Sequence, residues 1–263
     1  MEKRSLKNTL KNGLAAAAIA LSATTATVTA TTAQTVKNVV LVHGAFADGS
    51  GYKGLYNELT KKGYNVTIVQ NPLTSLEDDV KATNLVLDKQ DGPTILAGHS
   101  WGGTVITEAG NHPKVAALVY IAALQPDKGE TTIQWLQTLP PDADNGVLPV
   151  DDKGIVYYSR EKYHAGFAAD LNKADAEFMY ASQGAFHAKG FVTPLTHAAW
   201  RNKPAFGIVA TEDKSIVPDI QRNMYKRSNT KITEIKGSHV VFISQPAKVA
   251  AVIIDAAKSV SGK

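Results

Sequence analysis

The sequence has no cysteine in 263 residues. Disulfide frameworks, thiolate metal sites, iron–sulfur clusters and a cysteine nucleophile are excluded together. Any covalent chemistry must come from Ser, Thr, Asp, Glu, Lys, His or Tyr. Charge is modest: charged residues make up 20% and the hydrophobic set 44%, a balance that builds a core rather than a disordered chain. Walker and dinucleotide fingerprints are missing, as is any His/Asp/Glu grouping at metal-ligand spacing. No metal and no organic cofactor is therefore expected. The sequence contains no internal repeat and no apolar run that spans a bilayer well, which takes about 20 residues.

The apparent basicity has a local source. Lys+Arg is 28 against Asp+Glu 24, a formal charge of +4. Lys3, Arg4, Lys7, Lys11 and Glu2 all lie at the N-terminus, before an alanine-rich apolar run at 14–21 and a small-residue tract at 22–33. This order predicts a secretory signal peptide over 1–30, cleaved after Ala30, with Ala33 as the alternative site. The protein is then exported, to the periplasm or beyond. Removing that segment leaves 24 basic groups against 23 acidic ones. A nearly neutral chain gives no electrostatic footprint for nucleic acid.

The rest of the chain alternates strands and helices. Strands are predicted at 36–42, 65–69, 94–97, 115–123, 204–210 and 231–235, and helices at 52–62, 75–87, 100–111, 218–226 and 245–260. Ser75 is a suitable N-cap, with Glu77, Asp78 and Asp79 in the first turn. Alternation with continuous apolar strands predicts an α/β fold, with a mainly parallel central sheet and helices on both faces. The stretch 125–200 breaks the alternation. It carries Pro140-Pro141 and a helical segment at 173–182, and is read as a small cap insertion over the sheet.

Gly98-His99-Ser100-Trp101-Gly102 is a G-x-S-x-G sequence between a strand and a helix. That context places a serine on a tight turn, its hydroxyl exposed at the sheet end and close to a helix N-terminus. A serine needs a base, and histidine is the usual one. Of seven histidines, His239 sits in the loop after the last strand, at the same sheet edge. His43 and His99 are expected to bond locally, His112 to cap a helix end, and His164, His187 and His197 lie in the insertion. Asp213, after the fifth strand, is the orienting carboxylate, with Glu212 as its rival. The oxyanion hole is expected from the backbone N–H groups of Trp101 and of Ala45 or Phe46. Phe46, Trp101, Trp135, Tyr158, Phe178, Phe186 and Trp200 are candidate pocket aromatics.

These residues carry a resemblance. The His43-Gly44-Ala45-Phe46 turn, the elbow at 98–103, the Thr211-Glu212-Asp213 loop and the Gly237-Ser238-His239 loop make residues 36–260 resemble an α/β-hydrolase of the single-domain, cofactor-free branch. That branch is similar to bacterial esterase-like hydrolases and to the plant methylesterase and hydroxynitrile lyase group. The resemblance implies a serine hydrolase acting on a small or medium carboxylic ester through an acyl-enzyme on Ser100. A lyase or perhydrolase on the same three residues, or a non-catalytic binding protein, is the alternative. Plant lyases of the group carry a lysine after the histidine, where Val240 stands here. The family also implies eight strands, but its first antiparallel strands have no counterpart before residue 36. Oligomeric state has no sequence signal.

Overall fold

The computed structural model describes residues 35–262. The expected signal segment, 1–30, lies outside the described residues. The chain enters through β1 (Asn38–Val42), followed by α1 (Lys53–Lys61), β2 (Asn65–Val69) and α2 (Leu76–Asp88). Next come β3 (Thr94–His99), α3 (Trp101–Ala109) and β4 (Val115–Ile121). After the insertion, which carries α4 (Lys173–Ala181), follow β5 (Ala205–Ala210), α5 (Pro218–Arg227), β6 (Lys231–Ile235) and α6 (Pro246–Val260).

The six long strands form one sheet in the order β2-β1-β3-β4-β5-β6, every pair parallel. Among the described residues this sheet has six strands, all parallel. Burial follows position in the sheet. β1 and β3 are buried at every residue, whereas the edge strands β2 and β6 are buried only at their last residue. Central strands covered on both faces read as continuous apolar runs, and edge strands do not.

Local chemistry fixes the helix ends. The Ser75 side chain accepts the Asp78 N–H at 3.1 Å and starts α2, and proline occupies the first turn of α5 and of α6. The closing helix α6 buries Val249, Val252, Ile253, Ala256 and Ala257. Among the described residues, no helix is long and apolar enough to cross a membrane.

Between β4 and β5 the insertion is mostly short pieces. A Thr131–Gln134 capping box starts the helix Thr132–Leu136. Two strands of two residues, Ile155–Val156 and Phe186–His187, pair antiparallel. A π-helical turn, Tyr163–Phe167, precedes α4. Only α4 has a periodic run long enough to read from sequence; the others depend on contacts with the rest of the fold.

Candidate active site

The chain leaves β1 in one direction, toward β2, and then returns to place β3 on the other side of β1. This switch opens a crevice at the carboxyl ends of β1 and β3, the usual ligand position in an open α/β sheet. The loop 43–46 and the turn at Ser100 meet there.

Ser100 sits at φ 54°, ψ −122°, a conformation disfavoured for a residue with a Cβ, between the end of β3 and the first turn of α3. Its neighbours make room. A methyl on Gly98 would collide with the Gly102 carbonyl, and one on Gly102 with the Val42 carbonyl. Gly44 is equally constrained: a methyl there would lie 2.7 Å from Ser100 Cβ and 3.2 Å from its Oγ. The glycines therefore let three pieces of backbone converge on one hydroxyl.

Ser100 Oγ lies 2.8 Å from His239 Nε2, and His239 Nδ1 lies 2.7 Å from Asp213 Oδ2. With the ring proton on Nδ1 donated to the carboxylate, Nε2 is free to accept the serine proton. Asp213 is itself well held. Its Oδ1 accepts the N–H groups of Ser215 (2.8 Å) and Ile216 (2.9 Å), and its Oδ2 also accepts Gln221 Nε2 at 2.8 Å. All three side chains are buried: Ser100 is 8% exposed, Asp213 3% and His239 1%. Glu212, the rival carboxylate, points to solvent and faces Lys236 at 3.5 Å. Gln221 has no sequence signal; it reaches Asp213 only because the first turns of α5 pack under that loop.

The other histidines hold structure. His43 Nδ1 donates to the Gly44 carbonyl at 2.9 Å, and Nε2 accepts the Asn71 N–H at 2.9 Å. Its burial lowers its pKa below the ordinary histidine value. His99 Nε2 donates to the His239 carbonyl at 3.0 Å, and its ring packs 4.6 Å from the His239 ring. Burial holds His99 well below the ordinary value, so it stays neutral beside the site. His112 contacts Asp88, His197 contacts Glu108, His164 donates to the Leu171 carbonyl, and His187 accepts the Lys189 N–H.

A cavity of about 690 Å³ opens on Ser100. Ala45 and Trp101 form its wall beside the serine, and among the described residues their N–H groups have no protein acceptor. Phe46, the other donor considered, also lines it, held at φ 61°. The remaining wall is mainly apolar, from the insertion (Leu136, Leu139, Val147, Val156, Phe191) and from the loop after β5 (Ile216, Val217). Its polar members are Ser100, Gln137, Thr138, Asn145 and Ser215; no charged side chain lines it among the described residues.

The expected aromatics divide. Phe46, Trp101 and Tyr158 line the cavity. Phe186 lies behind that wall, 5.2 Å from the Trp101 ring. Trp135, Trp200 and Phe178 do not line it. Trp135 and Trp200 stack on the Arg227 guanidinium, at 4.6 and 5.4 Å, and Phe178 is exposed on α4. A tryptophan whose N–H finds an acceptor, Glu130 for Trp135 and the Pro126 carbonyl for Trp200, is satisfied without a pocket.

The parallel sheet, the strand-to-helix turn at Ser100 and the order of the three side chains define a class. The chain belongs to the alpha/beta hydrolase family, which matches residues 39–252. It is similar to a pyrethroid hydrolase of Sphingobium wenxiniae, 28% identical over 249 residues that cover 84% of this chain and 88% of that protein. A crystal structure of a pyrethroid hydrolase superposes with a TM-score of 0.74 at 25% identity, covering 86% of this chain and 99% of the other. Polyneuridine aldehyde esterase shares the fold, with a TM-score of 0.72 at 19% identity, covering 84% of this chain and 98% of that one.

Proposed function

We propose that the protein is a serine hydrolase of uncharged, apolar carboxylic esters. The observation that carries this reading is the hydrogen-bonded line Ser100–His239–Asp213, which opens at its serine end onto an apolar cavity. Similarity to a pyrethroid hydrolase supports it.

Ser100 Oγ attacks the ester carbonyl carbon as its proton passes to His239 Nε2. Asp213 holds the Nδ1–H tautomer and stabilises the imidazolium. The Ala45 and Trp101 N–H groups receive the oxyanion, and each such donor is worth about 3 kcal/mol of transition-state stabilisation. His239 returns its proton to the leaving alkoxide, which departs as the alcohol. Water then loses a proton to His239, attacks the acyl-enzyme, and the acid is released as Ser100 regains its proton. The cavity volume lies within the range of sites that enclose drug-sized ligands. The expected small or medium ester fits such a cavity, and so does a bulkier one.

The test is a fluorophosphonate. It should label Ser100 in the wild type and fail to label Ser100→Ala, and that variant should lose esterase turnover by roughly 10⁴-fold or more while remaining folded. Wild-type turnover in Ser100→Ala would move the nucleophile elsewhere. The proposal extends to export, supported by the residue pattern of positions 1–30.

A further inference from the structure

The insertion does more than wall the cavity. Its turn from Tyr163 to Asp170 touches the oxyanion-hole loop, the acid loop and the base loop. Tyr163 is 1% exposed, and its hydroxyl donates to the Phe46 carbonyl at 2.7 Å. That carbonyl belongs to a residue held at φ 61°, next to the Ala45 N–H. The left-handed conformation costs about 1–2 kcal/mol in a residue with a Cβ, so an outside contact is needed to hold it. Burial pushes the Tyr163 phenol well above its ordinary pKa, which keeps its proton on the donor.

The next contacts run to the acid and base loops. The Gly166 carbonyl accepts Ser215 Oγ at 3.0 Å, and the Ser215 N–H is one of the donors to Asp213. The Phe167 ring packs edge-on to the His239 ring, 4.8 Å between centroids. Asp170 accepts the Ser238 N–H at 2.9 Å and Ser244 Oγ at 2.6 Å, and a further bond from Ser238 Oγ. These bonds hold the residue before His239 and the end of the short helix Val241–Ser244 after it. Nothing in the turn itself reaches Ser100.

We propose that Tyr163 and Asp170 are positioning residues: the turn aligns the oxyanion-hole loop with the base loop, so that seating of the insertion sets the rate of the chemical step. The inference rests on the serine-hydrolase reading. Its physical basis is that a misplacement of about 1 Å in a catalytic group can cost about 100-fold in rate, while apolar binding in a wide cavity tolerates it.

The experiment compares the full-length wild type with Tyr163→Phe and Asp170→Ala on a p-nitrophenyl ester. Phenylboronic acid serves as the probe of the tetrahedral state, because its adduct on a serine oxygen is tetrahedral and anionic. The ether analogue of the substrate probes the cavity alone. In each variant kcat should fall about tenfold with KM changed less than about twofold. Phenylboronic acid affinity should fall by the same factor, and ether affinity should hold. Unchanged kcat in both variants overturns the inference, and so does a loss of ether affinity as large as the loss of kcat. If Tyr163→Phe does not fold, Asp170→Ala, altered at an exposed position, decides by the same criteria. Fluorophosphonate labelling of the wild type separates the two readings. A labelled wild type with silent variants removes only the positioning role, whereas an unlabelled one removes the hydrolase itself.

Discussion

Asp213 and Glu212 are adjacent in the chain and opposite in surroundings. Asp213 lies under the β5–α5 turn and accepts four hydrogen bonds, from His239, Gln221, Ser215 and Ile216. Glu212 faces solvent and an exposed partner, Lys236. The sequence narrowed the expected acid to these two, and the structure turns Asp213 toward His239 and Glu212 toward solvent. Asp213→Asn should lower kcat/KM by roughly a thousandfold or more, because the amide no longer fixes the Nδ1–H tautomer. Glu212→Gln should change it less than about twofold, since an exposed pair of this kind contributes little. Steady-state kinetics on one ester compares them, and the reverse ranking would move the acid to Glu212. Gln221 is a residue of a different kind. It was invisible in the sequence because its role depends on α5 lying beneath a loop eight residues earlier.

At the scale of elements, α2, α3 and the insertion meet at one buried carboxylate. Asp79 on α2 accepts Trp101 Nε1 of α3 at 2.8 Å and the Leu73 N–H at 2.8 Å, and the Leu73 carbonyl accepts the His187 N–H of the insertion at 2.9 Å. In the sequence Asp79 reads as a first-turn acid suited to the helix dipole. The structure buries it completely. Burial raises its pKa from 3.8 to about 6, against the two hydrogen bonds that lower it. The folded state therefore holds this proton over a pH range in which the unfolded chain has lost it. Stability from this group is fully present below about pH 4 and is lost as pH rises through about 6, a change on the order of 3 kcal/mol. Urea denaturation at pH 4 and pH 7 should show a larger fall for the wild type than for Asp79→Asn. An equal fall in the two proteins would show that Asp79 ionises in the fold at its ordinary pKa. The long elements were legible because their apolar periods are strong. The Tyr163–Phe167 turn and the two-residue strands of the insertion were not, because pieces of that length have no period and are held by distant partners.

On the scale of the molecule, the cavity lining bears on which esters the protein accepts. A substrate carboxylate buried among these apolar walls has no cation to pair with, and an unpaired buried charge costs several kcal/mol. A neutral ester should therefore be hydrolysed with a kcat/KM about 100-fold above that of a matched ester carrying a free carboxylate on its acyl chain. Equal rates would place the acyl group outside this cavity. For the N-terminus, the intact mass of the exported protein should begin at residue 31, or at 34; a mass that includes Met1 would overturn the export reading.

The sequence by itself determined the sheet, the serine turn and the chain order of Ser100, Asp213 and His239. Those are local: a β-branched run, glycines beside a serine, and loops that end strands can each be read within a few residues. Only the tertiary structure decided which carboxylate faces His239, which aromatics wall the cavity, and that the insertion reaches the oxyanion-hole, acid and base loops. Each of those depends on side-chain direction and on contacts between residues far apart in the chain. Trp135 and Tyr158 look alike as insertion aromatics, yet one stacks on Arg227 and the other lines the cavity. The difference lies in what the fold brings beside each ring.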